Sequence, residues 1–267
     1  MRARGGRLQG GGVIDARAIA LPRPRPRTRA ARLTAFVGVE LLMWVAFYGA
    51  YLAIRGVAIG AEPTAMANAH GLIDVERALG IFQESRIQDW FSPVVDGLSL
   101  YYMLGFGPLV GVVLIWLAAA DRVTYKWLRT ALLVSVGIAS VIHVLLPMAP
   151  PRLVEGLGIA DTVGLSGGHD EGSFMGISFN PYAAMPSMHV GWSLLIGVAG
   201  FRAARSRPLR AFFAVHPAVM TLTVVATGNH YLLDAVAGAT VVGAALLLIQ
   251  AARRTGRLVP IGRKSPC

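Results

Sequence analysis

Apolar residues recur in long runs at about 34–56, 95–120, 129–149, 186–203, 211–229 and 231–250, separated by short stretches that hold most of the charge. About 20 helical residues rise ~30 Å, the thickness of the hydrocarbon layer of a bilayer. Runs of this length without strand-like alternation therefore predict membrane-crossing helices. The expected fold is all-α: a polytopic membrane protein with six transmembrane helices.

Two intervening segments depart from that rhythm. Residues 61–93 alternate apolar positions (Leu72, Ile73, Val75, Leu79, Ile81, Phe82) with polar ones (Asp74, Glu76, Arg77, Glu84) and end in Asp89-Trp90-Phe91. That pattern suits an interfacial helical segment acting as a lid or spacer. Residues 150–185 are rich in Gly, Pro, Asp and Ser and hold no apolar run, and a loop of this length commonly carries function.

Composition agrees with the pattern. Of 267 residues, 55% are hydrophobic and 15% charged, against roughly 25% charged in soluble domains, and the mean hydropathy is +0.57. This balance excludes a disordered chain and argues against a soluble enzyme. The net charge of +11 does not form a nucleic-acid-binding face, because the cations sit in tails and short loops. Nine Lys or Arg precede the first run, three follow the second, four follow the fourth and five follow the sixth, 21 of the 25 in all. Only Arg55, Arg77, Arg86 and Arg152 fall on the other side. The positive-inside rule then places both termini in the cytoplasm, in a plasma membrane of bacterial type, with the 150–185 loop outside. Residues 1–32, with Leu21-Pro-Arg-Pro-Arg-Pro-Arg, read as a disordered basic cytoplasmic tail, 33–252 as the membrane catalytic domain and 253–267 as a second basic tail. The front is too long and basic for a signal peptide, so the first run reads as an anchor. Cys267 is the single cysteine and offers no disulfide or cysteine metal site.

Three polar clusters occur where this topology puts the outer ends of helices. Pro147-Met-Ala-Pro150-Pro151-Arg152 stops the third helix and leaves an arginine just outside it. Pro186-Ser187-Met188-His189 opens the fourth run, placing Ser187 and His189 by the first turn, where free N–H groups and the helix dipole favour an anion. In Thr227-Gly228-Asn229-His230-Tyr231-Leu232-Leu233-Asp234, the histidine and aspartate are four apart on one helix face. A carboxylate so placed can hold one imidazole nitrogen and leave the other as a nucleophile or base. Singly, each cluster has an ordinary structural explanation. Yet His189 and His230 are 41 residues apart, about 60 Å of helix or two crossings, which returns both to the same surface. Together the clusters describe a centre that processes an anion, most simply phosphate. His143, two turns from the outer end of its helix, and Tyr231 are further candidates. His70, His169 and His216 read as structural or solvated, His216 being near the inner end of the fifth helix, and Tyr101 and Tyr102 as an interfacial aromatic belt.

These residues resemble the type 2 phosphatidic acid phosphatase superfamily, whose signatures are K-x-x-x-x-x-x-R-P, P-S-G-H and S-R-x-x-x-x-x-H-x-x-x-D. The second reads Pro186-Ser187-Met188-His189 here, and the third survives as His230-x-x-x-Asp234. The chain is more closely similar to the inositol phosphorylceramide synthase (aureobasidin-resistance) branch, from Tyr125-Lys-Trp-Leu-Arg129 through Pro150-Pro151-Arg152 to His230-Tyr231-Leu-Leu-Asp234-Ala-Val-Ala-Gly238, over roughly 65–250. The resemblance implies that His230 forms a phosphohistidine, that Asp234 orients it and that His189 protonates the leaving alcohol. Arg152 and Ser187 would bind the phosphoryl oxygens, with no metal and no cofactor. The implied partners are a phosphorylated membrane lipid and an alcohol or water acceptor. The chain departs from the signatures: Met188 replaces glycine, Leu145 stands seven before Arg152 in place of lysine, and Thr223-Val224 replaces Ser-Arg.

The expected function is thus a membrane lipid phosphotransferase, with a lipid phosphate phosphatase as the alternative. A metal-dependent hydrolase would need a further His or Glu beside the two histidines and the aspartate. A transporter or binding protein would show inverted repeats and broken mid-membrane helices, neither of which the sequence displays.

Overall fold

The structure, a computed structural model, describes residues 34, 36–45, 49, 62–162, 173–174, 177–178 and 181–255. The basic tail 1–32, most of 46–61 with Arg55, the middle of the 150–185 loop with His169, and the end of the chain with Cys267 lie outside the described residues. The chain divides into two compact units. The first holds α1 (Phe36–Val45), inside the first predicted run. The second holds eight described helices: α2 (Glu62–Ala78), α3 (Glu84–Phe91), α4 (Val95–Leu104), α5 (Gly107–Ala120), α6 (Arg122–Leu145), α7 (Met188–Ala203), α8 (Arg207–Ala226) and α9 (Leu232–Arg254). Besides these there is a two-residue strand pair, Ser173–Phe174 against Ile177–Ser178.

Helices α6, α8 and α9 are long and apolar enough to cross a membrane, and α3–α4 with α5 make a fourth if that bent pair is one span. Among the described residues this is three or four spans by length and composition, where the hydrophobic pattern predicts six. The run 95–120 is not one straight helix. It breaks at Gly105-Phe106, and its two parts are bent by 45°. Pro108 in the first turn of α5 has no N–H to continue the ladder, and Gly105 lies where a Cβ would strike the Tyr101 carbonyl and the Met220 side chain. Large apolar side chains face outward along the helices, Ile115, Leu145 and Leu247 among them. That suits a body solvated by lipid, and the apolar helices mark an integral membrane protein.

Charged residues begin two of the helices instead of filling loops. Asp121 caps α6 by accepting from the N–H groups of Val123 and Thr124, so Arg122, Lys126 and Arg129 ride on its first turns. Arg207 and Arg210 do the same on α8, whose Pro208 stands at the start. At this end the Arg202 guanidinium lies over the Trp127 ring and Arg210 over Phe201.

Helix α7 has 16 residues and is the most enclosed element, with Val190, Gly191, Ser193, Leu195, Ile196, Gly197, Ala199 and Gly200 all buried. Its small residues let neighbours come close. Gly197 and Gly200 meet Phe213 and Pro217 of α8, and a Cβ on Gly191 would come within 2.9 Å of the Gly238 carbonyl of α9. As a result the C-terminal ends of α6 and α8 and the N-terminal ends of α7 and α9 converge.

The 61–93 segment does form helices, but it acts as more than a spacer. Ala65, Ala69, Leu72 and Ile73 repeat on one face of α2 and pack with Met148, Ala149, Val154, Ala184 and Tyr231. The Ala149 N–H donates to the Ala65 carbonyl, and the Asn68 amide to that of Pro147. Gln88 on α3 donates to the carbonyls of Ala160 and Ala226 and accepts from the Ala160 N–H. One side chain thereby ties the loop after α6 to the end of α8.

Candidate active site

The site is assembled where those four helix ends meet. Ser187 caps α7 by accepting from the Val190 N–H, and its own N–H donates to the Asp234 carbonyl at 3.0 Å. The hydroxyl thus caps α7 while the N–H joins it to α9, and the Ser187 side chain is fully buried. Gly238 makes the junction sterically feasible, since a Cβ there would collide with the Ser187 carbonyl.

Asp234, fully buried in the first turn of α9, faces two groups through one oxygen. Its Oδ2 accepts the Tyr231 N–H at 2.9 Å and lies 3.3 Å from His230 Nδ1. The second bond assigns the His230 proton to Nδ1 and leaves Nε2 as the basic nitrogen. The i, i+4 spacing read in the sequence gives this contact even though His230 precedes the helix, because the chain enters α9 extended at Tyr231.

The His189 ring stands 5.7 Å from that of His230, centroid to centroid. It is sandwiched between Tyr102, at 4.2 Å and 19°, and Phe106, at 4.0 Å and 31°. These two rings fix the plane of the imidazole. The two aromatic partners come from α4 and from the break before α5, so the bend places them there. Tyr102 is thus built into the site instead of an interfacial belt, and its neighbour Tyr101 hydrogen-bonds His216 Nδ1. His216 sits midway along α8, with its side chain buried, in contrast to the inner-end position expected for it.

Arg152 follows the Pro150-Pro151 stop in a single 3-10 turn, and its N–H donates to the Gly228 carbonyl. Gly228 has φ +70°, and a side chain there would meet Ile159 and the Arg152 Cβ. The guanidinium donates through Nη1 to Asn229 Oδ1, while Nε lies 3.8 Å from Asp161. Asn229 is itself held by Thr227, through the carbonyl and the hydroxyl. Burial draws the Arg152 guanidinium down from its usual value, and Asp161 opposes that. Arginine keeps its charge under such pressure. It lies close enough to His189 for their charges to interact.

The remaining candidates divide. His143 donates from Nε2 to the Pro186 carbonyl at 3.3 Å, tying α6 to the entry of α7, and it lies in electrostatic range of His230. Tyr231 turns into the apolar cluster beneath α2, where burial and the neighbouring Asp234, Glu84 and Glu76 carboxyls push its phenol up. Leu145, where the lysine of the first signature would fall, is 76% exposed on α6, and Thr223 and Val224 are buried in α8. Neither position supplies a cation to the site.

Sequence reasoning missed Asn229, Asp161, Tyr102 and Phe106. Asn229 sat inside a cluster already singled out, but its partner Arg152 is 77 residues away. Glu76 and Glu84, seen only as the polar face of an amphipathic segment, bind the start of α9: Glu84 Oε1 accepts the Leu232 N–H and Glu76 Oε1 the Leu233 N–H. Among the described residues no three His, Cys, Asp or Glu side chains gather as a metal-holding group.

A buried His–Asp pair, a second imidazole beside it and a fixed guanidinium together can hold a phosphoryl group, attack it and move one proton. A family model for the PAP2 superfamily matches residues 70–248. No curated protein and no solved structure matches the chain.

Proposed function

Because the chain belongs to the PAP2 superfamily, it is an enzyme of the phosphatase or phosphotransferase kind, and we propose that it moves a phosphorylated headgroup from a membrane phospholipid to an alcohol through a phosphohistidine. The observation that carries this reading is the His230 Nδ1 contact with Asp234 Oδ2, with the His189 ring at 5.7 Å. Asp234 holds the Nδ1 proton, so the Nε2 lone pair attacks phosphorus. As the N–P bond forms, the P–O bond to the lipid alcohol breaks, and the departing oxygen takes a proton from the His189 imidazolium. The acceptor alcohol then returns a proton to His189 and attacks phosphorus, and His230 leaves with its lone pair restored. Arg152, the Ser187 hydroxyl and backbone N–H groups hold the non-bridging oxygens, on which charge builds during each displacement.

Transfer from a diester is favoured over hydrolysis of a monoester by the charge of the site. A monoester carries nearly two negative charges at neutral pH and a diester one. Arg152 is present, whereas Leu145 and Thr223-Val224 supply no further cation. The likeness to the inositol phosphorylceramide synthase branch supports the same choice. The test is turnover of phosphatidylinositol against phosphatidic acid and a polyprenyl phosphate, with and without a lipid alcohol. Faster turnover of the diester in the presence of the alcohol is expected. Strong preference for a monoester with water as sole acceptor would make the protein a lipid phosphatase using the same histidine.

The catalytic domain spans 33–252 in this reading, with basic tails on either side. Its six crossings are α1, the bent α4–α5 pair, α6, α7, α8 and α9. The support is the placement of 21 of 25 basic residues at one set of helix ends, which puts both termini in the cytoplasm and the site on the outer side.

A further inference from the structure

Two fully buried carboxyl groups stand behind the His–Asp pair, both on the helices preceding the bundle. Glu84 Oε1 accepts the Leu232 N–H at 3.1 Å and Glu76 Oε1 the Leu233 N–H at 2.7 Å, which are the first two residues of α9. These N–H groups have no partner within the helix, and the positive end of the dipole favours an acid there. The other two oxygens, Glu76 Oε2 and Glu84 Oε2, are buried and meet no donor, yet the side chains are within hydrogen-bonding reach of each other. A proton shared between the two carboxyl groups gives each an interaction that two ionised carboxylates could not make.

We infer that Glu76 and Glu84 are positioning residues for the phosphohistidine chemistry: a carboxyl–carboxylate clamp, sharing one proton, that grips the first turn of α9 and so sets the alignment of His230 and Asp234. The inference rests on the catalytic reading above. The gripped residues lie directly between the two groups, Leu232 two positions after His230 and Leu233 one before Asp234. A movement of this turn shifts Asp234 Oδ2 against both His230 Nδ1 and the Tyr231 N–H. The charged groups acting on Glu76 are themselves acids, Glu84 from α3 and Asp234 from α9. The Tyr231 phenol faces both acids, and the His230 imidazole reaches them through Asp234. Burial first, then Glu84, raises the Glu76 carboxyl from 4.5 to about 8. Its native state therefore holds an extra proton between these values, and the clamp's contribution is complete below 4.5 and is lost as pH rises through about 8.

The experiment follows turnover and the thermal midpoint of the full chain in detergent micelles from acid to alkaline pH, with whichever of phosphatidylinositol and phosphatidic acid the wild type uses. Glu76→Gln keeps an acceptor for Leu233 and replaces the shared proton by an amide N–H. Its alkaline fall in kcat is expected to move up by about one pH unit or more, with the thermal midpoint flattened in parallel. Glu76→Ala is expected to lower kcat about tenfold or more with little change in KM, and Glu76→Gln to restore the greater part. An alkaline limb identical in wild type and Glu76→Gln would overturn the clamp, and this comparison decides the matter alone should Glu76→Ala fail to fold. A thermal midpoint that shifts while the kcat profile does not would reduce the pair to a structural role and overturn the positioning. Activity in His230→Ala is a different result: it overturns the catalytic reading itself, whatever the Glu76 variants show.

Discussion

The Ser187 N–H donates to the Asp234 carbonyl at 3.0 Å, so the start of α7 is docked on the first turn of α9. This one bond brings the segment carrying His189 to the segment carrying His230, and Gly238 leaves the space for it. Gly238→Ala should force the two apart, costing ~1–3 kcal/mol of stability through overpacking. It should also lower kcat by about tenfold to a hundredfold through misplacement of the two imidazoles. Thermal unfolding and turnover measure the two effects, and wild-type kcat in Gly238→Ala would show that the close approach is not required.

His230→Ala and His189→Ala should each abolish turnover, one by removing the nucleophile and the other the proton donor. Asp234→Asn should leave a small residual rate, since the attacking nitrogen survives but loses its fixed tautomer. Acid-labile label on the protein from a radioactive phospholipid donor, absent in His230→Ala, would display the intermediate. Turnover should survive EDTA and be inhibited by vanadate, which mimics five-coordinate phosphorus. A metal requirement would replace this mechanism by another.

Arg152→Ala should reduce kcat by about a hundredfold to a thousandfold, more than any other single arginine change, because Leu145 and Thr223-Val224 supply no cation in its place. Arg152→Lys should recover little, as an ammonium cannot reproduce the forked donor. Asn229→Ala frees the guanidinium and should cost less, in the same direction. The two changes should be far from additive, since Asn229 acts through Arg152. Additive losses in that double-mutant cycle would assign Asn229 an independent role.

Cysteines introduced as Ser166→Cys and Ser206→Cys, in a Cys267→Ser background, should label oppositely with an impermeant thiol reagent applied to intact cells. The loop carrying residue 166 is expected outside and the turn before α8 inside, following the basic asymmetry. Labelling of the Ser206→Cys protein from outside would invert the orientation.

The sequence by itself determined the helical membrane class, the superfamily and three polar clusters, because each depends on neighbours within a few residues or on simple length. A ~20-residue apolar run must satisfy its own backbone in lipid, so it can only be a helix. A His and an Asp four apart are close enough in the chain to meet at a helix start, as His230 and Asp234 do. Even the return of His189 and His230 to one surface follows from a 41-residue interval. Tertiary structure decided everything that depends on which side chain arrives from elsewhere. The pairing of Arg152 with Asn229, the enclosure of His189 by Tyr102 and Phe106, and the exposure of Leu145 each join or separate residues far apart in the chain. The alternation in 61–93 announced an amphipathic helical segment, but not that two of its acids would become the caps of α9. Periodicity shows that a surface is covered, whereas only the packed chain shows what covers it, and there the dipole of a helix made from residues 232–254 meets Glu76 and Glu84.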